Sequence, residues 1–370
     1  MKQMYRIILS GGGTGGHIFP AISIADTLRE RCPGIEILFV GADSRMEMER
    51  VPAAGYRIVG LPVTGFDRVH WIKNIKVIIR LIKSLRLARK LVREFKPDVV
   101  IGVGGYAAGP TLWAASQQRI PILIQEQNSY AGLTNKLLAK KADKICVAYE
   151  GMERFFPADR IVLTGNPVRK DIEETTTGKS EALAFFGLSP EKKTILVIGG
   201  SLGARTVNRS IWKHLERLSV SGVQLIWQTG RGYYNEAKEH LKQHNAASSF
   251  WCADFITRMD YAYAAADLII SRAGAGTISE LCLQGKPVIL VPSPNVAEDH
   301  QTKNALALAG KGAAMLVADR EAEQYLVSKA LEIVHDEARL LSLGNHIAAL
   351  AQYHSAERIA DEVMRMISKD

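Results

Sequence analysis

Short apolar runs recur along the first half of the chain, at Arg6–Ser10, Glu36–Val40, Val99–Val103, Ile120–Gln125 and Lys144–Ala148. Between them lie longer stretches whose apolar positions return every three or four residues, near 18–31, 43–54, 72–95, 109–118 and 132–141. Brief runs of this kind are strands buried on both faces, and the periodic stretches are amphipathic helices. The alternation therefore predicts a parallel sheet covered by helices. The pattern then restarts at "KKTILVIGGSLGARTVNRSIWKHL", with further strands expected at Gln224–Gln228, Leu268–Ser271, Pro287–Val291 and Ala314–Val317. This is an α/β chain with two Rossmann-like parallel-sheet domains, expected to face a central cleft. The seam is placed near Gly165-Asn166-Pro167, because a proline disfavours helix at the residue before it. The expected division is 1–165, 166–345 and a C-terminal helical segment, 346–370, packing back toward the N-terminal domain.

Each half opens with a strand, a glycine loop and a helix. In the first, "LSGGGTGGHIFP" satisfies G-x-G-x-x-G, which on its own fits a dinucleotide fingerprint or a tight strand-to-helix turn with no ligand. A second loop, "GGSLGA", at the equivalent place favours a ligand site shared by the two halves.

Composition narrows the class. The chain has 370 residues and 47% hydrophobic content, enough for two cores, and a formal net charge of +9. That charge suits an acidic partner such as a phosphorylated substrate or an anionic membrane. No nucleic-acid recognition motif accompanies it. The cysteines at 32, 146, 252 and 282 have no metal-binding spacing and read as buried thiols in a reducing compartment. No stretch approaches the ~20 apolar residues of a membrane span. A cytoplasmic protein is expected.

The densest chemistry lies in "LIISRAGAGTISELCLQGKPVILVPSP", 268–294. A strand ends at Ser271, a loop of small residues follows, and a helix is expected to start near Thr277 with Glu280 in its first turn. Unpaired N–H groups and the helix dipole make such a terminus an anion site. A carboxylate repels phosphate but accepts hydrogen bonds from a diol, so diphosphate beside ribose is the ligand that fits both features. Glu280 equally fits a charge placed only to suit the helix dipole.

The set "GGGTGGHIFPAISIA", "GVGGYAAGP", "QEQNSYAGLTNK", "TGNPVR", "GGSLGA" and "SRAGAGTISEL…GKPVILVP", in this order, resembles the two-Rossmann-domain (GT-B) nucleotide-sugar glycosyltransferases. More narrowly, it resembles the MurG family of peptidoglycan transferases. The resemblance implies transfer of N-acetylglucosamine (GlcNAc) from UDP-GlcNAc to the 4-hydroxyl of the MurNAc sugar in lipid I, giving lipid II. Lipid I is undecaprenyl-diphospho-MurNAc-pentapeptide. It implies that Thr14, Gly15 and Gly16 face the donor's sugar and phosphate end and that Asn128 contacts the transferred sugar. It puts Arg169 and Ser201 on the diphosphate and ribose side, and gives Ile256 backbone groups for the uracil edge. Ala275, Gly276 and Thr277 cap the phosphates, Glu280 holds the ribose and Gln301 reaches the GlcNAc. Gly13, His17 and Tyr106 fall on the acceptor side.

The chain contains no D-x-D pair, so no resident metal is expected and a divalent cation would at most stimulate. The helix near Thr277, with Arg169, would offset charge on departing UDP. His17 and Glu126 are the candidate bases for the acceptor hydroxyl. His17 also fits a contact to the acceptor diphosphate or the loop, and Glu126 a brace for the Asn128 loop. The rival reading is an NAD-dependent oxidoreductase, with Asp43 as the acid after the second strand. It leaves the second glycine loop and the Glu280 helix unexplained. A non-catalytic nucleotide-sugar binder is the third.

The stretch 71–95, "WIKNIKVIIRLIKSLRLARKLVREF", carries eight Lys or Arg and one acid. On a helical wheel Val77, Ile78, Leu81, Leu85, Ala88 and Val92 share the expected core face. The opposite face is basic in its second half. In its first half the same face carries Trp71, Ile72, Ile75, Ile79 and Ile82, with Lys76, Arg80 and Lys83 beside them. Exposed apolar residues within a basic field suit contact with an anionic membrane surface, here the cytoplasmic face of a bacterial plasma membrane. A kink or a covering loop that buries the isoleucines is the alternative.

Overall fold

The computed structural model describes residues 4–368 apart from 44, 66–73, 201 and 245–248. The chain forms two compact units. Unit 1 runs to Val168 and resumes at Gln352, and unit 2 is Arg169–Ala351.

Among the described residues unit 1 is built on seven strands: β1 (Arg6–Ser10), β2 (Glu36–Ala42), β3 (Arg57–Leu61), β4 (Val99–Gly102), β5 (Ile122–Glu126), β6 (Lys144–Val147) and β7 (Ile161–Leu163). Their order is β3-β2-β1-β4-β5-β6-β7, and the pairing is parallel, with Ile8 in register with Leu38 and Val100. Helices α1 (Gly15–Arg31), α2 (Glu47–Ala53), α3 (Asn74–Phe95), α4 (Ala108–Gln117) and α5 (Leu133–Leu138) connect them. Alternate residues of each strand feed two cores. Ile8, Leu38 and Val100 pack with Ala88, Val92 and Leu112 of α3 and α4, while Ile7, Phe39 and Ile101 pack with Ile18 and Ile24 of α1. Burial on both faces explains the unbroken apolar runs of the central strands.

Unit 2 repeats the plan with β8 (Thr194–Ile198), β9 (Gln224–Gln228), β10 (Phe250–Ala253), β11 (Leu268–Ser271), β12 (Val288–Leu290) and β13 (Met315–Leu316), ordered β10-β9-β8-β11-β12-β13 and parallel. Its helices are α6 (Lys170–Glu173), α7 (Lys179–Phe186), α8 (Arg205–Trp212), α9 (Leu215–Val220), α10 (Tyr234–Gln243), α11 (Met259–Ala265), α12 (Ala275–Gln284), α13 (His300–Ala309), α14 (Ala322–Val334) and α15 (Glu337–Ala348). Because α15 belongs to this unit, the chain returns to unit 1 at Gln352 rather than near 346. The last helix, α16 (Ser355–Ile367), then places Ile359, Ala360, Val363 and Ile367 in the α1 core of unit 1, where Arg31 pairs with Asp361.

In each sheet the strand order reverses between the first strand and its neighbour: β1 and β4 in unit 1, β8 and β11 in unit 2. Loops leaving the carboxyl ends of such a pair diverge and leave a crevice, the usual ligand position in an open α/β sheet. Both glycine loops lie there. So do Gly104-Gly105, after β4, and Arg272-Ala273-Gly274, after β11.

Helix α3 differs from its expected wheel at one position. Val77, Ser84, Ala88 and Val92 are buried and Leu81 and Leu85 half-buried, but Ile78 is 48% exposed. The buried line follows Val77–Leu81–Ser84–Ala88–Val92, and Ile78 stands about 100° off it. Ile78 therefore joins Ile75, Ile79 and Ile82 on the exposed face, among exposed Lys76, Arg80 and Lys83. Trp71 and Ile72 lie outside the described residues.

Candidate active site

In unit 1 the rim is built from the ends of β1, β2, β4 and β5. Thr14 is the N-cap of α1, so Gly15, Gly16 and His17 form its first turn, three residues earlier than the pattern suggested. His17 is half-buried, its Nδ1 lies 3.1 Å from Thr14 Oγ1, and its ring covers Gly104. A Cβ at Gly104 would sit 3.0 Å from His17 Nε2. Gly105 approaches closer still: at φ +86°, a Cβ there would lie 2.4 Å from the carbonyl oxygen of Gly12. Only glycine permits both that conformation and that contact. Tyr106, on the next residue, is exposed and packs over Gly65.

The sequence reading missed the residue that holds this loop. Glu47, the first residue of α2, is fully buried and accepts the N–H groups of Gly13 and Ala42, each at 3.0 Å. It ties the glycine loop to the end of β2. It also withdraws the Gly13 amide from any ligand, so an acceptor contact at Gly13 would use the space its missing side chain leaves.

Glu126, at the end of β5, is also fully buried. Its Oε1 accepts from Asn128 N at 3.0 Å and Asn128 Nδ2 at 3.2 Å; its Oε2 accepts from Gly132 N at 2.9 Å and Asn135 Nδ2 at 2.8 Å. Burial pushes its carboxyl above the ordinary range, and those donors pull it back. With both oxygens engaged, the carboxylate organises the 126–135 loop and presents Asn128, which is half-buried.

In unit 2 the rim is built from the ends of β8 to β12. Gly274 caps α12, so Ala275, Gly276 and Thr277 are its first turn, and a Cβ on Gly276 would meet open space. Their N–H groups have no helical partner and point out of the helix end. Glu280 thus lies in the second turn, not the first, because the helix begins at Ala275 rather than near Thr277. That position removes the dipole as its reason for being there, since the dipole's effect fades beyond the first turn. Glu280 is half-buried, and its Oε2 accepts the hydroxyl of Tyr263, a fully buried residue of α11, at 2.6 Å. Among the described residues its Oε1 has no hydrogen-bond partner. Burial pushes the Glu280 carboxyl up; the Tyr263 hydroxyl and the Arg169 charge oppose this, and Asp171 adds to it.

Arg169 precedes α6, half exposed, with its Nε 3.7 Å from Asp171. Ile256 is buried and its N–H donates to Gln228 Oε1 at 2.9 Å, so the uracil-edge role leaves it the carbonyl. Gln228 also donates to Gly200 O at 3.1 Å, linking the second glycine loop to the 256 segment. Gln301, in the first turn of α13, accepts the Ser293 N–H at 2.8 Å. Ser201 lies outside the described residues. A further brace went unnoticed in the sequence. Arg272 donates to the carbonyls of Val291 and Pro292 and to Asp319, which in turn accepts from Thr206, so the loops after β11 and β12, the turn after β13 and the first turn of α8 share one network. Among the described residues no group of three or more His, Cys, Asp or Glu is placed to hold a metal ion.

Two family models match the chain: the glycosyltransferase family 28 N-terminal domain over residues 7–147 and its C-terminal domain over 194–362. The chain belongs to glycosyltransferase family 28. A protein of Parabacteroides distasonis, named UDP-N-acetylglucosamine–N-acetylmuramyl-(pentapeptide) pyrophosphoryl-undecaprenol N-acetylglucosamine transferase, is 70% identical over 367 residues, 99% of this chain and all of its own. A protein of the same name from Porphyromonas gingivalis is 59% identical, covering 99% of this chain and 96% of its own. The crystal structure of Acinetobacter baumannii MurG superposes with a TM-score of 0.79 at 28% identity, over 98% of this chain and 99% of that one. The fold is thus GT-B, and the protein is a family 28 hexosyltransferase. Nothing in these likenesses supports the oxidoreductase alternative.

Proposed function

We propose that this enzyme moves GlcNAc from UDP-GlcNAc to the 4-hydroxyl of the MurNAc sugar in lipid I, forming lipid II for peptidoglycan synthesis. The reaction in the name of a relative 70% identical over 99% of this chain supports this. The structural observation that carries it is the rim of unit 2. An unpartnered helix N-terminus at the strand-order reversal is followed, one turn on, by a carboxylate with one open oxygen. That pair suits a diphosphate and a ribose together.

In this reading the diphosphate lies against Ala275, Gly276 and Thr277, with Arg169 and Ser201 beside it. Glu280 takes the ribose, the Ile256 carbonyl takes the uracil edge and Gln301 takes the GlcNAc. Thr14, Gly15, Gly16 and Asn128 meet the sugar and phosphate end; Gly13, His17 and Tyr106 meet the acceptor. The acceptor oxygen attacks C1 of GlcNAc from the face opposite the diphosphate. As the new C–O bond forms, the bond from C1 to the diphosphate breaks and UDP leaves with the electron pair. The α-linked donor gives a β-linked product through an oxocarbenium-like state. Charge growing on UDP is met by the fixed dipole of α12 and by Arg169, which need no reorganisation. His17 takes the acceptor proton. The 3.1 Å contact between its Nδ1 and Thr14 Oγ1 orients the ring beside the glycine loop. Glu126, with four donors on its carboxylate, braces the loop instead.

Peripheral attachment at the cytoplasmic face of the membrane fits the lipid-linked acceptor. Ile75, Ile78, Ile79 and Ile82 are exposed on α3 among basic side chains, and no helix among the described residues is long and apolar enough to span a bilayer. UDP release from UDP-GlcNAc with a short-chain lipid I analogue tests the activity. A protein whose melting temperature rises with UDP but which never turns over this pair would be a binder, and the proposal would fall.

A further inference from the structure

We infer that Tyr263 is a positioning residue for the donor: its hydroxyl holds the Glu280 side chain in the arrangement that presents Oε1 to the ribose. This rests on the assignment of Glu280 to the ribose made above.

The argument starts from what each group would do alone. A glutamate has three rotatable side-chain bonds, and ordering them when a ligand arrives opposes binding. A tyrosine hydroxyl at zero exposure must find a partner or carry a desolvation penalty. The 2.6 Å bond from Tyr263 to Glu280 Oε2 answers both needs. It is a charge-assisted O–H···O⁻ bond, among the stronger kinds. Tyr263 is anchored by a ring buried in unit 2, on α11, while Glu280 stands on α12, so the bond crosses between two helices. The result is asymmetric: Oε2 belongs to the protein and Oε1 is left for a hydroxyl donor. The contrast with Glu126, whose two oxygens are both occupied by protein donors, shows that the open oxygen is a choice of local geometry and not a general feature of buried acids here.

Among the described residues, the titratable groups that act on Glu280 are the neutral Tyr263 on α11 and the charged Arg169 and Asp171 at the start of α6. Removing the hydroxyl takes away a bond that favours the ionised carboxylate. The carboxyl of the variant should then titrate at higher pH than in wild type. Since the carboxylate is the acceptor form, donor capture falls as pH drops through that value, and the acid limb of kcat/KM for UDP-GlcNAc moves upward in pH.

The test is Tyr263→Phe, assayed with UDP-GlcNAc and with its 2′-deoxyuridine analogue across pH. It should raise the KM for UDP-GlcNAc about tenfold with kcat within about twofold. It should shrink the preference for the ribose donor over the deoxy analogue and shift the acid limb upward. A Phe variant with wild-type preference and acid limb overturns the inference, as does an equal rise in KM for both donors. Tyr263→Phe in a Glu280→Ala background gives the second arm, in which both partners are gone and no buried group is stranded. There the Phe change should add nothing to donor KM, and a further rise of the same size would mean that Tyr263 does not act through Glu280. The two readings separate cleanly. If Glu280→Ala alone keeps the ribose preference, the ribose assignment fails. If it abolishes the preference and Tyr263→Phe does not alter it, only the role of Tyr263 fails.

Discussion

Glu126 and Glu280 sit at corresponding rims of two sheets built on one plan, and burial pushes both carboxyls upward. The protein treats them in opposite ways. Glu126 receives hydrogen bonds on both oxygens, all from the 126–135 loop it organises. Glu280 receives one bond, from Tyr263, and keeps an oxygen open. A buried acid is therefore no evidence of chemistry by itself. What separates brace from ligand contact is the remaining acceptor capacity once the protein's own donors have been counted. Unit 1 uses this device twice, since Glu47 also holds a loop by accepting backbone N–H groups. With both acids engaged as braces, proton removal on this rim is proposed for His17.

The sharpest way to break the comparison is to move catalysis off His17. His17→Ala should lower kcat by ~10²–10⁴-fold, the usual contribution of a positioned base, while donor KM changes only a few-fold. A variant that retains kcat within a few-fold would return proton removal to Glu126 and dissolve the distinction between the two acids.

Glu126→Gln probes the brace directly. The amide can match donors with its oxygen but turns an NH2 toward the pair that had faced the other oxygen. Two stranded donors should cost about 2–6 kcal/mol, at roughly 2–4 °C of Tm for each kcal/mol. Turnover measured well below the new Tm should stay within about tenfold of wild type. Intact Tm with kcat down by orders of magnitude is the signature of a base, and would contradict the brace.

Glu280→Ala should do the reverse: raise donor KM by roughly 10- to 100-fold, the worth of hydrogen bonds to a charged acceptor, with kcat nearly kept. Isothermal titration with UDP is the direct measurement. An unchanged dissociation constant in the folded variant takes Glu280 off the ribose.

How much of this could be read from the chain follows from where each residue gets its partners. The central strands were legible because burial on both faces writes an unbroken apolar run: β1, β9 and β11 fall at the expected limits. The strands that went unread, β3, β7 and β10, each lie at the edge of a sheet, short or half-buried, where that signal fades. The glycine loops and the α12 segment stood out because close backbone approach admits few residue types. Glu47 did not, since in "SRMEMERVP" it looks like one more charge at a helix start. Tyr263 and Gln228 were hidden for a related reason. Their function lies in a bond to a residue distant in sequence, and local spacing carries no trace of it. The start of α12 was placed two residues late, near Thr277, because the extended backbone of Gly274 that caps the helix leaves no side-chain signal in the sequence.

The smallest effect concerns the surface of unit 1 that neither acid touches. In α3 the apolar first half and the basic second half share an exposed face, and Ile75 and Ile79 are 56% and 51% exposed. Replacing both with serine removes little packing, so Tm and turnover of a short, water-soluble acceptor should stay near wild type. If the face meets lipid, the loss is apolar area withdrawn from the bilayer interface. At about 1 kcal/mol for each of the two partly inserted side chains, binding to anionic vesicles should weaken by about thirtyfold. What remains should be more salt-sensitive, because Lys76, Arg80 and Lys83 act through a screened field. Sedimentation with vesicles of mixed anionic and neutral lipid at low and high salt reads both changes. Equal vesicle binding by the double variant and wild type would show that the isoleucines do not enter the bilayer, and a fall of many degrees in Tm would show that they belong to the fold.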